Sequence, residues 1–363
     1  MSKEGLFVGA MTGTSVDGLD LALVEISDAH IRLIAAETTP LPEALRSMLL
    51  DLIQATPGDE VERLGQADTE LGRFTGESIR RFVAHHEADD VVAIGSHGQT
   101  IRHRPSGEHP FTIQIGDPNC IAERTGITTV ADFRRRDLAS GGQGAPLVPP
   151  FHAALFAHPS EVRVIANIGG IANITVLAPG EPVTGYDTGP GNALMDAWCA
   201  WRKAEPYDRD GKWAASGVVD EALLERFLTD AYFHEPAPKS TGKELYNLGW
   251  LEQHLVGANL SDADVQHTLA ALTAEAIARE VPNGTGRVIV CGGGRLNPVL
   301  MRQLSNRCPA AVEASEAHAV DGDALEAAAF AWLAYRRINK LPANLPSVTG
   351  AAEERVLGGV YAP

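Results

Sequence analysis

The chain has 363 residues, which at about 100–200 residues per domain predicts two domains, each large enough to bury a core. Its 47 acidic and 30 basic residues give a formal net charge of -17, which argues against nucleic acid or an anionic membrane as a partner. The four cysteines lack metal-ligand spacing and the N-terminus lacks a signal-peptide core, so we expect a reduced, cytoplasmic protein.

Two short apolar runs, residues 6–10 and 19–26, flank a polar connection that carries glycines. This pattern predicts a β-hairpin, whose tip lets backbone N–H groups and hydroxyls approach phosphate oxygens. An ordinary polar turn fits the local pattern too, because the spacings of a P-loop and of a dinucleotide-binding motif are absent. The candidate phosphate-binding residues are Gly13, Thr14, Ser15, Asp17, Gly18 and Asp20, and Asp17 or Asp20 could hold Mg²⁺ through water.

After Pro42 the apolar residues recur at helical spacing, and a second helical stretch follows. Residues 91–94 then form a buried strand that opens into a polar loop, as the first strand does. Strands that alternate with helices and end in glycine-bearing loops predict an α/β protein with ligands at the strand ends. In this loop His97 and Gln99 suit hydrogen bonds to a sugar, although a solvated surface loop shows the same pattern.

The composition shifts at residues 132–150, where three arginines precede glycines and prolines. We place the domain boundary there, with an N-terminal α/β domain at residues 1–134 and a C-terminal α/β domain at residues 135–363. The C-terminal tail is free to pack back on the first domain. Arg134 could bind a carboxylate or phosphate bidentately, although a short basic run is usually a solvated face.

The second half repeats the hairpin at the level of pattern, with Gly169 and Gly170 at the turn. A later strand, residues 288–290, enters a run of three glycines. Backbone without side chains suits a purine or a phosphate, but glycines that permit close helix–strand packing are an equal alternative. This run is Gly292, Gly293 and Gly294.

Two carboxylates invite two interpretations each. Asp187 precedes a Gly-Pro-Gly sequence and a helix, which suits a general base or a helix cap. Asp323 and Glu326 have the spacing of a capping box, so Glu326 could serve only its own helix.

Seven segments together resemble the anhydro-N-acetylmuramic acid kinase family, and the resemblance extends from residue 11 past residue 290. The segments are residues 11–20, 95–100, 131–134, 141–146, 167–170, 187–192 and 239–242. The resemblance implies a two-domain actin-like ATPase (sugar kinase) fold of α/β class, with ATP and Mg²⁺ in an interdomain cleft. It also implies that water opens 1,6-anhydro-N-acetylmuramic acid while the oxygen at carbon six takes the γ-phosphoryl group, yielding N-acetylmuramic acid 6-phosphate in cell-wall recycling.

By this resemblance Asp187 is the base that activates water, residues 13–20 are the phosphate loop, and the glycines at 292–294 lie on the adenosine side. The implied sugar-binding residues are His97, Gln99, Arg134, Asn192 and Glu326. The alternatives are another sugar kinase of the superfamily and an actin-like or chaperone ATPase without a small substrate. A homodimer is one arrangement that the sequence leaves open.

Overall fold

A computed structural model describes residues 2–13, 16–237 and 239–363. The strands in these residues are β1 (Gly5–Thr12), β2 (Gly18–Ile26), β3 (Ile31–Pro40), β4 (Val91–Ser96), β5 (Gln99–Arg104), β6 (Phe111–Ile115), β7 (Thr129–Ala131), β8 (Arg163–Ile168), β9 (Ile171–Leu177), β10 (Thr184–Pro190), β11 (Arg287–Cys291), β12 (Ala311–Ala314) and β13 (Gly359–Tyr361). The helices are α1 (Glu43–Ile53), α2 (Glu60–His85), α3 (Pro118–Thr125), α4 (Arg134–Leu138), α5 (Pro149–Phe156), α6 (Ala193–Lys203), α7 (Glu221–Phe227), α8 (Leu248–Leu255), α9 (Asp262–Glu280), α10 (Pro298–Arg307), α11 (Leu325–Ile338) and α12 (Pro346–Thr349).

The chain divides into two compact units. Unit 1 comprises the described residues up to Leu155 together with Ala324–Pro363, and unit 2 is Phe156–Asp323. The first boundary of the units follows Leu155, whereas the sequence placed it at residue 134, and the last 40 residues lie in unit 1, an arrangement that the sequence prediction allowed for the C-terminal tail.

Buried hydrogen bonds explain why residues 135–155 belong to unit 1. Asp137, which is fully buried, accepts hydrogen bonds from the Gly144 backbone, from Asn344 Nδ2 at 2.6 Å and from Thr349 Oγ1 at 2.8 Å. These bonds fasten the glycine-rich run to the C-terminal segment, because breaking them would leave a buried carboxylate unpaired. The arginine-to-proline stretch is thus internal to unit 1.

Each unit contains a mixed sheet, and the two sheets share the order and directions of five strands, to which unit 1 adds β13, antiparallel to β7. In unit 1 the order is β13-β7-β4-β1-β2-β3, with β1, β2 and β3 antiparallel and β1, β4 and β7 parallel. In unit 2 the order is β10-β9-β8-β11-β12, with the first three antiparallel and the last three parallel. Both predicted hairpins, the α/β class and the internal repeat are confirmed.

Helix α11 packs against the sheet of unit 1, and two glycines permit this contact. A Cβ at Gly9 would lie 1.7 Å from the Ala327 carbonyl oxygen, and one at Gly95 would lie 1.9 Å from that of Phe330. The alanines of α11 are buried here, so the small residues on both sides bring helix and sheet together. Among the described residues, no helix combines the length and low charge that a bilayer requires.

Candidate functional site

In unit 1, the half-buried Arg134 at the start of α4 pairs with His97, which is buried after the end of β4. Arg134 Nε donates to His97 Nε2 at 3.0 Å, and Arg134 Nη1 donates to the Gly144 carbonyl oxygen at 2.9 Å. Since Nε2 accepts, the ring proton is on Nδ1, which donates to the Gly98 carbonyl oxygen at 2.8 Å. The histidine predicted from a polar loop is therefore buried and not solvated.

Burial decides the charges of this pair. It holds the pKa of His97 well below its ordinary value, and the positive charge of Arg134 acts in the same direction. Burial also lowers the pKa of Arg134 to about 10, opposed by the carboxylates of Glu326 and Asp137. At neutral pH the pair is thus a neutral imidazole beside a guanidinium. Its bonds to His97 and Gly144 leave three of the five arginine N–H groups for a ligand.

Gln99, the second residue predicted for sugar binding in this loop, is also buried. Its Nε2 donates to the Thr100 carbonyl oxygen at 3.3 Å, whereas its Oε1 has no hydrogen-bond partner in the described part of the chain. A buried acceptor without a partner costs free energy, so this oxygen is suited to a ligand hydroxyl or amide.

The capping-box interpretation of Glu326 is wrong. Helix α11 begins after Ala324 and has no side-chain cap. The Asp323 carboxylate instead accepts hydrogen bonds from Arg295, at 2.6 Å from Nη1 and 3.0 Å from Nη2. Glu326 is half-buried, and its charge acts on Arg134. The structure therefore brings Glu326 to the predicted sugar-binding residues of unit 1.

The hairpin tip lies between β1 and β2, as predicted, but Thr14 and Ser15 are outside the described residues. Gly13 accepts a backbone hydrogen bond from Val16 at 3.2 Å. Asp17 is exposed, with one carboxylate oxygen 3.6 Å from Arg46 Nη2. Asp20 accepts a hydrogen bond from Thr38 Oγ1 at 2.6 Å, and Gly18 is the first residue of β2. The carboxylates of Asp17 and Asp20 are ligands of the type that suits Mg²⁺, because this ion commonly binds one or two carboxylates together with water and phosphate.

In unit 2, Asp187 lies inside β10 and does not cap a helix. Its Oδ2 accepts hydrogen bonds from Ser240 Oγ at 2.9 Å and from the Thr241 backbone N–H at 3.1 Å. Its Oδ1 accepts none from the described residues. Burial raises the pKa of Asp187, and the two hydrogen bonds partly oppose that rise. One carboxylate oxygen is thus fixed and the other is left for a proton.

A buried ion pair supports the segment that binds Asp187. Lys239 Nζ lies 2.7 Å from Glu280 Oε1, and the lysine side chain is only 2% exposed. Glu280 Oε2 accepts a hydrogen bond from Tyr186 Oη at 3.1 Å, and the Lys239 carbonyl oxygen accepts one from the Asp187 backbone at 3.1 Å. Glu280 of α9 therefore contacts both segments around the Asp187 carboxylate: it binds strand β10 through Tyr186 and residues 239–241 through Lys239.

The sequence reasoning missed these supporting residues. Ser240 and Thr241 lay in a segment matched to the family but were given no role, and that match was the available signal. Glu280 follows 41 residues after Lys239 in an ordinary helical pattern, so no local feature identifies it.

The glycine turn between β8 and β9 packs against the start of α6. The Gly169 carbonyl oxygen accepts from the Asn192 backbone at 2.8 Å, and the Gly170 carbonyl oxygen accepts from Gly191 at 2.9 Å. A Cβ at Gly170 would lie 2.5 Å from Lys243 Cε, so an exposed ammonium side chain lies along this turn. The turn and this lysine are candidates for phosphate contacts.

The three glycines after β11 divide between the two interpretations. A Cβ at Gly292 would lie 2.4 Å from Asn167 Oδ1, and one at Gly294 would lie 2.4 Å from Ile168 Cγ2, so both serve close packing. At Gly293 the nearest atom would be Asn192 Nδ2 at 3.8 Å, an ordinary van der Waals contact, and this glycine is exposed. Gly293 alone is therefore suited to a ligand by its exposed backbone.

Gly293 borders a pocket of about 370 Å³ in unit 2. Asn192, predicted to bind the sugar, lines this pocket and donates from Nδ2 to the Ile168 carbonyl oxygen at 3.1 Å. Asn192 therefore lines the same pocket as Gly293, which the sequence assigned to the nucleotide. The complete lining is Asn192, Met195, Asp196, Tyr207, Asp208, Arg209, Asp210, Gln266, Gly293, Leu296 and Asn297.

Comparison with solved structures gives weak, full-length similarities. A ROK family glucokinase from Streptomyces griseus, in complex with glucose and AMPPNP, is 14% identical over 91% of this chain and 99% of that chain, with a TM-score of 0.39. The activator of the 2-hydroxyisocaproyl-CoA dehydratase from Clostridium difficile, with bound ADPNP, is 11% identical over 91% and 94%, with a TM-score of 0.41. ROK hexokinase from Thermus thermophilus is 17% identical over 91% and 99%, with a TM-score of 0.36.

Comparison with protein families gives a match over nearly the whole chain. Residues 5–363 match the model of the family described as anhydro-N-acetylmuramic acid kinase. The match includes Asp187 and the residues that hold it, the Arg134–His97 pair, and both glycine turns. The chain therefore belongs to the anhydro-N-acetylmuramic acid kinase family, a family of phosphotransferases.

Proposed function

We propose that this chain is an ATP-dependent kinase that opens 1,6-anhydro-N-acetylmuramic acid with water and yields N-acetylmuramic acid 6-phosphate. The observation that carries the proposal is the asymmetric environment of Asp187. Its Oδ2 is held by Ser240 and Thr241 while Oδ1 accepts no bond from the described residues. A carboxylate oriented in this way suits a general base for one water molecule.

The proposed reaction requires Asp187 as its single base, and every bond that breaks is matched by one that forms. Water attacks the anomeric carbon, its proton passes to Asp187, and the bond from that carbon to the oxygen at carbon six breaks. That oxygen takes the γ-phosphoryl group of ATP, and ADP leaves. Because the departing oxygen occupies the β face, a single displacement gives an α hydroxyl, whereas retention would require a second carboxyl group as nucleophile.

For the sugar we propose the polar residues of unit 1. Gln99 Oε1 lacks a partner in the described residues, and Arg134 has N–H groups beyond those that bind His97 and Gly144. The half-buried guanidinium of Arg134 is the best donor in this group for the lactyl carboxylate of a muramic sugar, because charge-assisted hydrogen bonds are the stronger ones. Glu326 remains a proposed sugar-site residue through its charge on Arg134.

For the nucleotide we propose the pocket at Gly293, whose volume of about 370 Å³ suits a small ligand. Gly169, Gly170 and the tip at residues 13–18 would contact the phosphates through backbone N–H groups. Asp17 or Asp20 would hold Mg²⁺ through water, and the bound ion would neutralise charge on the transferring phosphoryl group. The proposal also assigns the enzyme to the cytoplasm and to peptidoglycan recycling.

The decisive measurement is ATP consumption by the purified chain with and without the anhydro sugar, in ¹⁸O-labelled water. We expect consumption to require the sugar, label to enter the anomeric hydroxyl, and the first product seen by NMR to be the α anomer. Asp187→Asn should keep ADP binding and lower turnover by about 10²–10⁴. Sugar-independent ATP consumption would instead support a chaperone-like or filament ATPase, and label in the phosphate would show that water attacks ATP.

A further inference from the structure

The pocket at Gly293 contains a buried amide without partners. Gln266 of α9 is 0% exposed, and neither its Nε2 nor its Oε1 has a hydrogen-bond partner in the described residues. Such a group is costly, since an apolar side chain of the same length would lose nothing at this position. The amide therefore requires an explanation outside the packing of the helix.

The next residue, His267, shows that buried polar side chains in this part of α9 can find hydrogen-bond partners. His267 is also buried, yet its Nδ1 lies 2.8 Å from the Gly217 carbonyl oxygen and its Nε2 lies 2.8 Å from Gln303 Nε2. Gln266 faces a different neighbour, because it lines the pocket of about 370 Å³ together with Gly293. The unpaired amide thus coincides with the wall of a cavity.

Part of the wall suits a flat heterocycle, and Asp196, Asp208, Arg209 and Asp210 also line the pocket. Met195 and Leu296 supply apolar surface, Tyr207 supplies an aromatic ring, and Gly293 presents backbone without a side chain. Ligand sites typically combine such apolar walls with a few placed polar groups. A side-chain amide offers one donor direction and one acceptor direction next to each other.

We propose that Gln266 determines base specificity by pairing its amide with the 6-amino group and an adjacent ring nitrogen of adenine. Adenine presents a donor beside an acceptor, which is the pattern that Gln matches bidentately. A purine that lacks the 6-amino group would leave the Gln266 oxygen buried and unpaired. The assignment rests on the proposed function, because that function places a nucleotide in this pocket.

The experiment compares ADP with the diphosphate of purine riboside, which lacks the 6-amino group, by calorimetric titration. The wild-type chain should bind ADP about 10- to 100-fold more tightly, because a site built for a hydrogen bond rejects a ligand that cannot make it. In Gln266→Met, which has similar length and no amide, the preference should fall below about threefold. Gln66→Met, on the exposed face of α2, is the control and should keep the wild-type preference.

The unfolding midpoint measured without nucleotide distinguishes base recognition by Gln266 from a structural role of its amide. If the amide awaits a ligand, Gln266→Met should have an unfolding midpoint equal to or above that of the wild type. A lowered midpoint with an unchanged preference would show that the amide holds a structural water, and would overturn the assignment. If Gln266→Met does not fold, Gln266→Glu replaces it in the test, because glutamate keeps the hydrogen-bond acceptor and loses the donor. This variant should no longer prefer ADP over its 7-deaza or 1-deaza analogue, and a preserved preference would overturn the assignment of Gln266 to base recognition. A wild-type chain that binds neither diphosphate would refute the proposed function itself.

Discussion

Replacing Lys239 by Met tests whether its buried ion pair with Glu280 supports residues 239–241, the segment that binds Asp187. The lysine side chain is 2% exposed, the glutamate side chain is 20% exposed, and the two charged atoms are 2.7 Å apart. The substitution also removes the contact of Lys239 Nζ with the Tyr232 carbonyl oxygen at 3.3 Å. It leaves the Glu280 carboxylate with the Tyr186 hydroxyl as its remaining partner among these residues.

The expected cost follows from this burial. Removing one partner of a buried ion pair typically costs 3–5 kcal/mol, because the other charge is stranded. Since Glu280 keeps one hydrogen bond and some exposure to water, we expect a loss of about 3 kcal/mol in the free energy of unfolding. Turnover should fall by about 10- to 100-fold, because residues 239–241 position Asp187 and a displacement of about 1 Å is costly to catalysis.

Urea unfolding of a double-mutant cycle measures the pair. Glu280→Gln alone should also destabilise, whereas the double variant should cost less than the sum of the singles by about 1–3 kcal/mol, since it strands no charge. The matched control is Arg80→Met, which breaks the exposed pair with Glu77 and should destabilise the chain far less than Lys239→Met, because solvent screens exposed ion pairs. Additive costs, or equal losses in Lys239→Met and Arg80→Met, would refute the reasoning.

Three further predictions concern carboxylates. Ser240→Ala should move the acid limb of kcat/KM to higher pH, because the Ser240 hydrogen bond lowers the pKa of Asp187; a pH–rate profile with an unmoved limb would remove Asp187 as the titrating base. Burial raises the pKa of Asp196 to about 6, above an unfolded value of about 3.9, so the folded state binds more protons and loses stability as pH rises through this range. Asp196→Asn should therefore gain about 2–3 kcal/mol in urea unfolding at pH 8 but only about 0.5 kcal/mol at pH 4, and an equal gain at both would contradict this. Glu326→Gln should lower turnover at least about tenfold, because the Glu326 charge acts on Arg134 in the proposed sugar site; unchanged turnover would exclude a site role.

Local sequence was sufficient for the elements and for several candidate residues. Apolar runs flanking a polar, glycine-bearing connection predicted the β1–β2 and β8–β9 hairpins, because strand formation depends on neighbouring residues. The polar loop after β4 indicated His97 and Gln99, and the alternative of a solvated surface loop was wrong for His97, which is buried. Its hydrogen-bond partner Arg134 lies 37 residues away in the chain.

Other features depend on contacts between distant residues, and local pattern carries no information about them. The capping-box spacing at residues 323–326 was present, but the structure gives Asp323 to Arg295. Glycine at 292 and 294 was equally compatible with packing or a ligand until the positions of Asn167 and Ile168 were known.

The sequence by itself determined the class of fold, the repeat and the family, because each of these depends on residue types in a local or matched order. The tertiary structure decided where the units divide, since Asp137 bonds to Asn344 and Thr349 across some 200 residues. It also decided how Asp187 is held, which required Glu280 to bind Lys239. A buried charge or amide must find its partners wherever the fold brings them, and that placement is a property of the packed chain as a whole.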